Sequence, residues 1–251
     1  MRYDSFEQSV ILTIDENLRK PSNFFIKEDK SIVTDIDKLI SKKIKVLCKH
    51  FFDDFSFISE EEITKNNRAL YTIVIDPIDG TENFANNIPI FGFSLAIYFN
   101  ESHEYSLLYF PKLNLKLSSL DEKTISTKQK SRIVALSSSM TLQEIITESK
   151  NYEEYRITGC ATYNIFSVIT KSFKNYYNPR ACSWDILAGI NLAIQFNCKV
   201  LIDGEKYYGK YLQEDKRYSL SISNWVPYNW KWRITTWTSS EFFLYNSEQL
   251  F

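Results

Sequence analysis

A short segment, residues 74–84, combines groups that could bind a metal ion with groups that shape a tight turn. It reads VIDPIDGTENF, so an apolar strand runs directly into Asp76 and Asp79, with a proline and a glycine beside them. Asp-Pro and Asp-Gly are both strong turn dipeptides, and a turn alone would account for the pattern. A metal site would account for it equally, because a strand end holds carboxylates on a rigid backbone while the following turn exposes N–H groups to an anion.

Two acidic segments earlier in the chain could add oxygen ligands, although each has a simpler explanation. Residues 57–62, FISEEE, predict a strand that runs into Glu60, Glu61 and Glu62, and a solvated acidic turn would have the same pattern. Residues 33–37, VTDID, begin a predicted helix, where a carboxylate such as Asp37 is favoured by the positive end of the helix dipole. Neither segment establishes a site by itself.

A further acidic segment, residues 183–189, lies in the second half of the chain and reads SWDILAG. Ser183 could cap the helix that begins there, and Asp185 would then fall in the first helical turn. Capping explains this pattern as well as catalysis does, so the choice depends on whether the acidic segments act together. If they do, hard oxygen ligands of this kind select Mg²⁺.

The composition excludes several classes of function. The chain has 251 residues and a formal net charge of −1, with acidic and basic residues interspersed, so no basic field favours a nucleic-acid polymer or a membrane surface. The N-terminal segment is charged throughout, and the longest nearly apolar stretch, residues 88–99, is far too short to span a bilayer as a helix. We therefore expect a folded, unexported, cytoplasmic protein.

Cysteine and histidine chemistry is also disfavoured. The four cysteines are scattered without a C-x-x-C pair, and His50 lies near Cys48 without a second ligand pair that would complete a zinc site. We expect buried, reduced thiols. Neither His50 nor His103 sits in a catalytic signature, so carboxylate and metal chemistry is favoured over a Ser-His-Asp or Cys-His mechanism.

The pattern of the first half, residues 1–130, predicts a helix-covered sheet. Apolar residues at helical spacing predict an amphipathic helix over residues 34–51, with Thr34 as its N-cap. Runs rich in β-branched and aromatic residues predict strands, and their short connections favour antiparallel neighbours. These strands are predicted at residues 55–58, 70–75, 91–99, 105–110 and 113–117.

The second half, residues 131–251, predicts alternating strands and helices, which is typical of an α/β layer. No linker, repeat or low-complexity segment separates the halves, so the boundary near residue 130 depends on this change of pattern alone. Strands are predicted at residues 133–136, 155–158, 175–178 and 199–202, and helices at 142–148, 163–172 and 184–196.

Taken together, the acidic segments resemble the signatures of the inositol monophosphatase family. D-P-I-D-G-T at 76–81 resembles the family's first signature, and SWDILAG resembles its second. Three further matches follow the family's order, namely V-T-x-x-D at 33–37, a strand running into Glu-Glu at 60–61, and G-x-x-x-x-N at 159–164. The resemblance covers about residues 25–205 and implies a mixed α+β and α/β fold, a layered α-β-α-β-α sandwich of the inositol monophosphatase and fructose-1,6-bisphosphatase type.

The resemblance implies a site built around two or three Mg²⁺ ions. Glu60, Asp76 and the main-chain carbonyl of Ile78 would hold the first ion. Asp76, Asp79 and Asp185 would surround the second ion. Paired divalent cations of this kind neutralise phosphoryl oxygens, make a water molecule nucleophilic and stabilise the leaving alkoxide.

The same resemblance assigns groups to water and to phosphate. Asp37 and Thr81 would pair so that the threonine hydroxyl orients the attacking water, and Glu60 counts among the catalytic residues as well as the metal ligands. The N–H groups of Gly80 and Thr81 would receive the phosphate. The proline and glycine of the turn then direct two aspartates to one centre while amides face the anion.

The resemblance also implies a substrate wall, with contacts from Gly159, Ala161, Asn178 and Arg180. Asn178 stands where inositol-specific members tend to carry an acid that binds a substrate hydroxyl. Arg180 could add a cation suited to a second phosphate, or it could be a surface charge. Lys27 lies in a stretch that resembles the family's mobile active-site loop, and a surface lysine is the equal alternative.

Three functions remain open after this comparison of motifs. An inositol-phosphate phosphatase acting on a small phosphorylated substrate comes first, and a 3′(2′),5′-bisphosphate nucleotidase or sugar bisphosphatase of the same superfamily comes second. A non-catalytic regulatory or binding protein comes third, because such a protein has no need to keep like charges crowded together. The family tends to form dimers, and the many aromatic residues could supply an interface.

Overall fold

The computed structural model describes residues 2–19, 23–26, 32–122, 131–214 and 216–224. Within these ranges the chain forms two six-stranded sheets, a two-stranded ribbon and six α-helices. No helix in them combines the length and the apolarity that a membrane span requires. The helices are α1 (Arg2–Leu18), α2 (Asp35–Cys48), α3 (Thr81–Ala85), α4 (Leu142–Ser149), α5 (Ala161–Ile169) and α6 (Ser183–Gln195), and the ribbon consists of β1 (Phe24–Ile26) and β2 (Ile32–Thr34).

The first sheet is built from the strands predicted in the first half, with one additional short strand. Its members are β3 (Phe55–Ser59), β4 (Ile63–Thr64), β5 (Tyr71–Asp79), β6 (Gly92–Phe99), β7 (Ser102–Phe110) and β8 (Leu115–Ser118), in the order β4-β3-β5-β6-β7-β8. Strands β5 to β8 pair antiparallel as predicted. The prediction was wrong for β3 and β5, which pair in parallel because the chain reverses at β4 between them.

The second sheet contains the predicted strands and a central strand that the sequence analysis lacks. Its members are β9 (Ile133–Leu136), β10 (Glu154–Arg156), β11 (Asn175–Cys182), β12 (Cys198–Ile202), β13 (Glu205–Lys206) and β14 (Arg217–Asn224), in the order β10-β9-β11-β14-β12-β13. Strands β10, β9 and β11 are parallel, whereas β14 is antiparallel to both β11 and β12. The missed strand alternates apolar residues with serines, so it lacks the continuous apolar run of a strand buried on both faces.

Apolar side chains order these elements into five layers. Helices α1 and α2 pack on one face of the first sheet through residues such as Val10 and Ile40. Helices α5 and α6 lie between the sheets, where Ile165 and Leu187 join one cluster with residues of both sheets. Helix α4 covers the outer face of the second sheet, with Ile145 packed against the β9 cluster. The predicted α-β-α-β-α sandwich is therefore confirmed.

Strand β5 is buried on both faces, and this explains its sequence. Ile73 and Ile75 point into the α1-α2 cluster, whereas Val74 points into the cluster with α5 and α6. Alternate side chains of a strand face opposite sides, so a strand between two helical layers is apolar throughout. The strand consequently delivers its acidic end, residues 76–79, into the interior of the molecule.

The predicted division into residues 1–130 and 131–251 follows the two sheets. The described strands of the first sheet end at Ser118, and those of the second begin at Ile133. The cluster that contains α5 and α6 nevertheless joins side chains from both sheets. The halves share a core, and their independence as domains stays a prediction.

The cysteines all lie within the described ranges, and they are free thiols there. Cys48, Cys160 and Cys182 are buried as expected, but Cys198 is only half-buried. The expectation of four buried thiols was wrong at Cys198 because this residue is the first of β12, at the end of the strand.

Candidate active site

The end of β5 carries both aspartates of the 74–84 segment. In a regular strand, residues three apart point to opposite faces, so Asp76 and Asp79 would diverge. The pairing of β5 with β6 shifts register between them, as expected where Pro77 has no N–H group for the ladder. The Ile78 N–H donates instead to the Asp76 carboxylate at 3.0 Å. Both aspartates are buried, so this irregular strand end withdraws two carboxylates from solvent.

Gly80 occupies a position that a larger residue would strain. Its φ of +84° is left-handed, and a Cβ there would lie 3.1 Å from the Cys160 Cβ and 3.2 Å from the Gly159 carbonyl oxygen. Thr81 follows as the first residue of α3, and its hydroxyl donates to the Ile78 carbonyl at 2.9 Å. The absence of a side chain at Gly80 lets the segment before α5 lie directly against the β5 turn.

Asn83 ties the β5 turn to that segment. Its Nδ2 donates to the Ile90 carbonyl at 2.7 Å and to the Thr158 carbonyl at 2.8 Å. Gly159 has a left-handed φ of +76°, and a Cβ there would lie 3.2 Å from the Asn83 amide. The turn after β5 and the segment before α5 are therefore in direct contact although they are far apart in sequence. The motif comparison did not reveal this contact.

Asp79 is held by the start of α5, whose first residue is the predicted substrate contact Ala161. The Asp79 Oδ2 accepts bonds from the Thr162 N–H at 2.5 Å, the Thr162 hydroxyl at 2.6 Å and the Cys160 thiol at 3.2 Å. Burial raises the pKa of Asp79, and the Thr162 and Cys160 bonds oppose this rise. Sequence reasoning missed Thr162 because no local signal indicates that it faces an aspartate of the first half.

Asp37 is buried at the start of α2, where Thr34 is the N-cap as predicted. Its Oδ2 accepts bonds from the Thr34 N–H at 2.8 Å and the Thr34 hydroxyl at 2.5 Å, which completes a capping box. Burial, with the charges of Glu61 and Glu60, raises the pKa of Asp37 to about 7, although the Thr34 bonds lower it. The described hydrogen bonds give Asp37 and Thr81 different partners, and their pairing stays a prediction.

Carboxylates from separate parts of the chain surround the end of β5, and their charges raise the pKa of Asp76 and of Asp185. Burial raises the pKa of Asp76 well above its usual range, and the charges of Glu60 and Asp185 raise it further. Burial also raises the pKa of Asp185, with a contribution from the charge of Asp79, while Arg217 lowers it. One electronegative environment is therefore shared by Asp76 and Asp79 of β5, Asp185 of α6 and Glu60, which directly follows β3. The joint pattern of acidic segments predicts such an environment.

The start of α6 differs from the prediction in its cap. Cys182 is the N-cap instead of Ser183, and Arg217 donates a hydrogen bond to the Cys182 sulfur. Asp185 falls in the first turn, as predicted. Capping by Ser183 therefore does not explain the SWDILAG segment, and the site explanation of its aspartate is strengthened.

The predicted substrate residues Asn178 and Arg180 are bonded to neighbouring protein groups. The Asn178 Oδ1 accepts from the Ser139 hydroxyl at 3.2 Å and the Arg180 N–H at 3.0 Å, and its Nδ2 donates to the Tyr176 hydroxyl at 3.2 Å. The Arg180 guanidinium donates to both carboxylate oxygens of Glu144, at 2.8 and 2.6 Å. Their contact with a substrate stays a prediction.

Known protein families include one whose model matches this chain. The family model of the inositol monophosphatase family matches residues 5–218, which is most of the chain. The chain belongs to the inositol monophosphatase family. The relatives from Thermotoga maritima and Saccharomyces cerevisiae are named as phosphatases. This inositol monophosphatase family protein is a phosphoric monoester hydrolase.

Two sequence relatives illustrate the distance within the family. The fructose-1,6-bisphosphatase/inositol-1-monophosphatase of Thermotoga maritima is 28% identical over 190 residues, which cover 70% of this chain and 71% of that protein. Inositol monophosphatase 1 of Saccharomyces cerevisiae is 25% identical over 191 residues, which cover 63% of this chain and 65% of that protein. Identity at this level supports the family and its reaction class, and leaves the substrate to be proposed.

Solved structures of the family share the fold. A Thermotoga maritima IMPase superposes with a TM-score of 0.72 at 24% identity, covering 88% of this chain and 90% of that chain. An IMPase/NADP phosphatase bound with D-inositol-1-phosphate gives a TM-score of 0.73 at 20% identity, covering 88% and 89%. The same kind of enzyme complexed with Mg²⁺ and phosphate gives 0.72 at 19% identity, covering 88% of each. The mixed α+β fold with two sheets flanked by helices is common to them.

The donor set of this inositol monophosphatase family protein suits a hard divalent cation. Its acidic side chains offer oxygen ligands, and buried carboxylates that repel one another are stabilised by an added positive charge. The Ser183 Oγ, two residues before Asp185, is buried and has no hydrogen-bond partner among the described groups. Within the described ranges, however, no three His, Cys, Asp or Glu side chains are arranged to hold an ion. The residues fit Mg²⁺ by charge and chemistry, while the bonding geometry is not formed.

Proposed function

We propose that this chain is a Mg²⁺-dependent phosphatase that hydrolyses inositol monophosphates and similar small polyol phosphates. The observation that carries the proposal is the crowding of carboxylates around the end of β5, where neighbouring negative charges raise the pKa of Asp76 and of Asp185. Such repulsion weakens a fold unless a cation relieves it. The name of the yeast relative and the D-inositol-1-phosphate bound to a structural neighbour support the choice of substrate.

The acidic residues would hold the cations. Glu60, Asp76 and the Ile78 carbonyl would bind one Mg²⁺, and Asp79 and Asp185 would join Asp76 at a second. Two or three ions per site are expected from the family resemblance. When bound, Mg²⁺ neutralises phosphoryl oxygens, lowers the pKa of a water molecule and stabilises the leaving alkoxide.

The remaining groups of the turn would orient the reactants. The main-chain N–H groups of Gly80 and Thr81 would receive the phosphate, since a left-handed residue in a turn directs successive amides toward an anion. Asp37 has a pKa of about 7 and suits proton transfer near neutral pH. Its action on the attacking water through the Thr81 hydroxyl requires that hydroxyl to leave the Ile78 carbonyl.

Hydrolysis of a bisphosphate is the second candidate, and the state of Asn178 favours it. A site that reads a polyol must pair its hydroxyls with polar groups. The neutral Asn178 amide is already bonded to Ser139, Arg180 and Tyr176, which weakens selection for inositol. The Thermotoga maritima relative is named for both fructose-1,6-bisphosphatase and inositol-1-monophosphatase activity. A sugar bisphosphate or a 3′(2′),5′-bisphosphate nucleotide is therefore the alternative substrate.

Phosphate release across three substrates separates the candidates. With Mg²⁺ present, we expect the highest kcat/KM for inositol 1-phosphate, with relaxed specificity toward fructose 1,6-bisphosphate and adenosine 3′,5′-bisphosphate. A preference of about a hundredfold for either bisphosphate, roughly 2.7 kcal/mol of transition-state free energy, would replace the first candidate by the second. No release from any of the three by folded protein would reject both.

Location and assembly are proposed with the function. A cytoplasmic enzyme is consistent with free thiols at all four described cysteines, and a homodimer is expected from the family resemblance. Lys27 and the aromatic tail after Trp225 lie outside the described residues. A role of Lys27 in an active-site loop stays a prediction.

A further inference from the structure

We infer that Thr162 is a positioning residue whose hydroxyl fixes the Asp79 carboxylate for Mg²⁺ and thereby sets the metal affinity of the site. The inference rests on the proposed function, because it takes Asp79 to be a metal ligand. Thr162 lies between Gly159 and Asn164, the matched positions of the G-x-x-x-x-N motif. The resemblance gives those two residues a place in the pattern and gives Thr162 none.

The contact between Thr162 and Asp79 uses two donors of one residue. The Thr162 N–H and hydroxyl approach the same oxygen, Oδ2, at 2.5 and 2.6 Å. Thr162 is fully buried, with 0% of its surface exposed, and Asp79 is 8% exposed. Because water has little access to this contact, a carboxylate that turned away would leave a buried hydroxyl unpaired, which is unfavourable.

The start of α5 is itself fixed on two sides. The Thr158 hydroxyl donates to the Asn164 Oδ1 at 2.8 Å, and Asn83 donates to the Thr158 carbonyl at 2.8 Å. On the opposite side, a Cβ at Gly189 would lie 2.8 Å from the Ile165 side chain, so α5 and α6 pack without space between them. Thr162 therefore presents its donors from a rigid element, as a group that orients a metal ligand should.

This arrangement restricts how Asp79 can bind a cation. The bonds that Thr162 and Cys160 donate to the Asp79 carboxylate all end on Oδ2, and the Cys160 thiol also contacts the Asp79 main-chain carbonyl at 3.5 Å. A carboxylate held by one oxygen can offer the other to a metal ion, but it cannot rotate to chelate with both oxygens without losing those bonds. Thr162 thus directs Asp79 toward one-oxygen coordination, in a site where three or more oxygen ligands must share each Mg²⁺.

A purely structural role for Thr162 is the alternative, since the same bonds join the two halves of the molecule. Thr162→Val keeps the shape and the N–H group but removes the hydroxyl, whereas Thr162→Ser keeps the hydroxyl. Thr170→Val is a matched control at the other end of α5, where the hydroxyl donates to the Phe166 carbonyl at 2.9 Å. Thermal unfolding of each variant measures the structural contribution separately from metal binding.

The deciding experiment is calorimetric titration of Mg²⁺ into the metal-free full-length protein without substrate. We expect Thr162→Val to raise the Mg²⁺ dissociation constant by about 10- to 100-fold, because loss of a hydrogen bond to a metal ligand weakens metal binding by that amount. Thr162→Ser should restore the affinity to within about threefold of wild type, because the donor to the carboxylate is retained. Thr170→Val should bind Mg²⁺ as the wild type does.

The outcomes separate this inference from the proposed function. Equal Mg²⁺ affinity in wild type and Thr162→Val would overturn the positioning role and leave the phosphatase proposal intact. Wild-type protein that binds no Mg²⁺ would overturn both. If Thr162→Val does not fold, Thr162→Ala removes the hydroxyl without adding a methyl group in its place, and the same weakening with rescue by serine is expected. Failure of serine to rescue would assign Thr162 a structural role only.

Discussion

The β5–α3 and β11–α6 junctions both contribute residues to the candidate site, and they differ in how far neighbouring protein groups neutralise their charged side chains. At the β5–α3 junction, Asp76 and Asp79 are buried beside other carboxylates, whose charges raise the pKa of Asp76. At the β11–α6 junction, Asn178 and Arg180 are matched by protein partners, the latter by the carboxylate of Glu144. The first junction has more negative charge than its surroundings neutralise, whereas Asn178 and Arg180 at the second have partners within the fold.

The charge balance at the two junctions differs in what each requires from a bound partner. A buried group without compensation requires a partner from outside, and a cation is the partner that suits several carboxylates. A group whose hydrogen bonds are made internally places no such demand on a ligand. We therefore expect metal-dependent chemistry at the β5 junction and a broad choice of substrate at the β11 junction.

Replacing Asp79 by asparagine should have the largest effect on the β5 junction. The Thr162 donors would hold the amide oxygen of the variant, so its NH₂ group would face the cation. We expect Asp79→Asn to lower kcat for inositol 1-phosphate by on the order of a thousandfold, or about 4 kcal/mol, at saturating Mg²⁺. Asp53→Asn, at an exposed position, is the matched control. Wild-type turnover by folded Asp79→Asn would show that the metal assignment is wrong.

Asp37 should reveal uncompensated charge as a dependence of stability on pH. Its folded pKa of about 7 exceeds the ordinary value of 3.8, so the folded state binds more protons between these values, and its contribution to the free energy of unfolding falls as the pH rises. Metal-free Asp37→Asn should exceed wild type in unfolding free energy by on the order of 4 kcal/mol near pH 8.

The same two proteins should be almost equally stable near pH 4, since the wild-type carboxyl is then protonated. Urea unfolding across this pH range measures both values. An equal difference at both pH values would mean that ionisation of Asp37 is not the cause. Reduced phosphatase activity of Asp37→Asn is expected at every pH.

Gly80 tests how closely the β5 turn is packed. Gly80→Ala combines left-handed strain with a close approach to Cys160 at 3.1 Å, whereas Gly204 has a similar φ of +83° and nothing within 4 Å. We expect urea unfolding to give a loss of about 1–2 kcal/mol for Gly204→Ala, from strain alone, and a larger loss for Gly80→Ala. Equal losses would contradict the close packing of the two motifs.

Arg180 should give the smallest effect, because Glu144 already neutralises it. The pair is partly exposed, with 42% of the Arg180 side chain and 26% of the Glu144 side chain accessible, so Arg180→Gln should lower the unfolding free energy by no more than about 1 kcal/mol. Its kcat/KM for inositol 1-phosphate should change by less than about threefold. A loss of about tenfold or more that is confined to bisphosphates would show that Arg180 reads a second phosphate.

Sequence patterns predicted the layers because the burial of a strand or helix face determines which nearby positions are apolar. Strand β5 has a continuous apolar run at residues 73–75, and α2 has helical spacing with a capping threonine at Thr34. Strand β14 has a weaker sequence pattern, since its serines alternate with apolar residues. The parallel pairing of β3 with β5 depends on the two-residue strand β4. A short strand such as β4 can reverse the direction of the chain without altering the apolar pattern of the neighbouring strands.

The candidate site could be predicted where it depends on residue type, and not where it depends on contact. Carboxylates at strand and helix ends were recognisable from their spacing. The bonds of Thr162 to Asp79 and of Glu144 to Arg180 join residues that are 83 and 36 positions apart, and no periodicity records such a pairing. The fold had to be known before the positioning residue of one junction and the internal ion pair of the other could be found.

Release of phosphate from inositol 1-phosphate by metal-stripped wild-type protein, followed as Mg²⁺ is added, tests the central claim most directly. The uncompensated carboxylates of the β5 junction predict no release above background before Mg²⁺ is added and a saturable rise as the ion binds. Removal of the ion by a chelator should abolish the reaction, and renewed Mg²⁺ should restore it. Undiminished release in the presence of the chelator would contradict the claim that this site acts through a bound divalent cation.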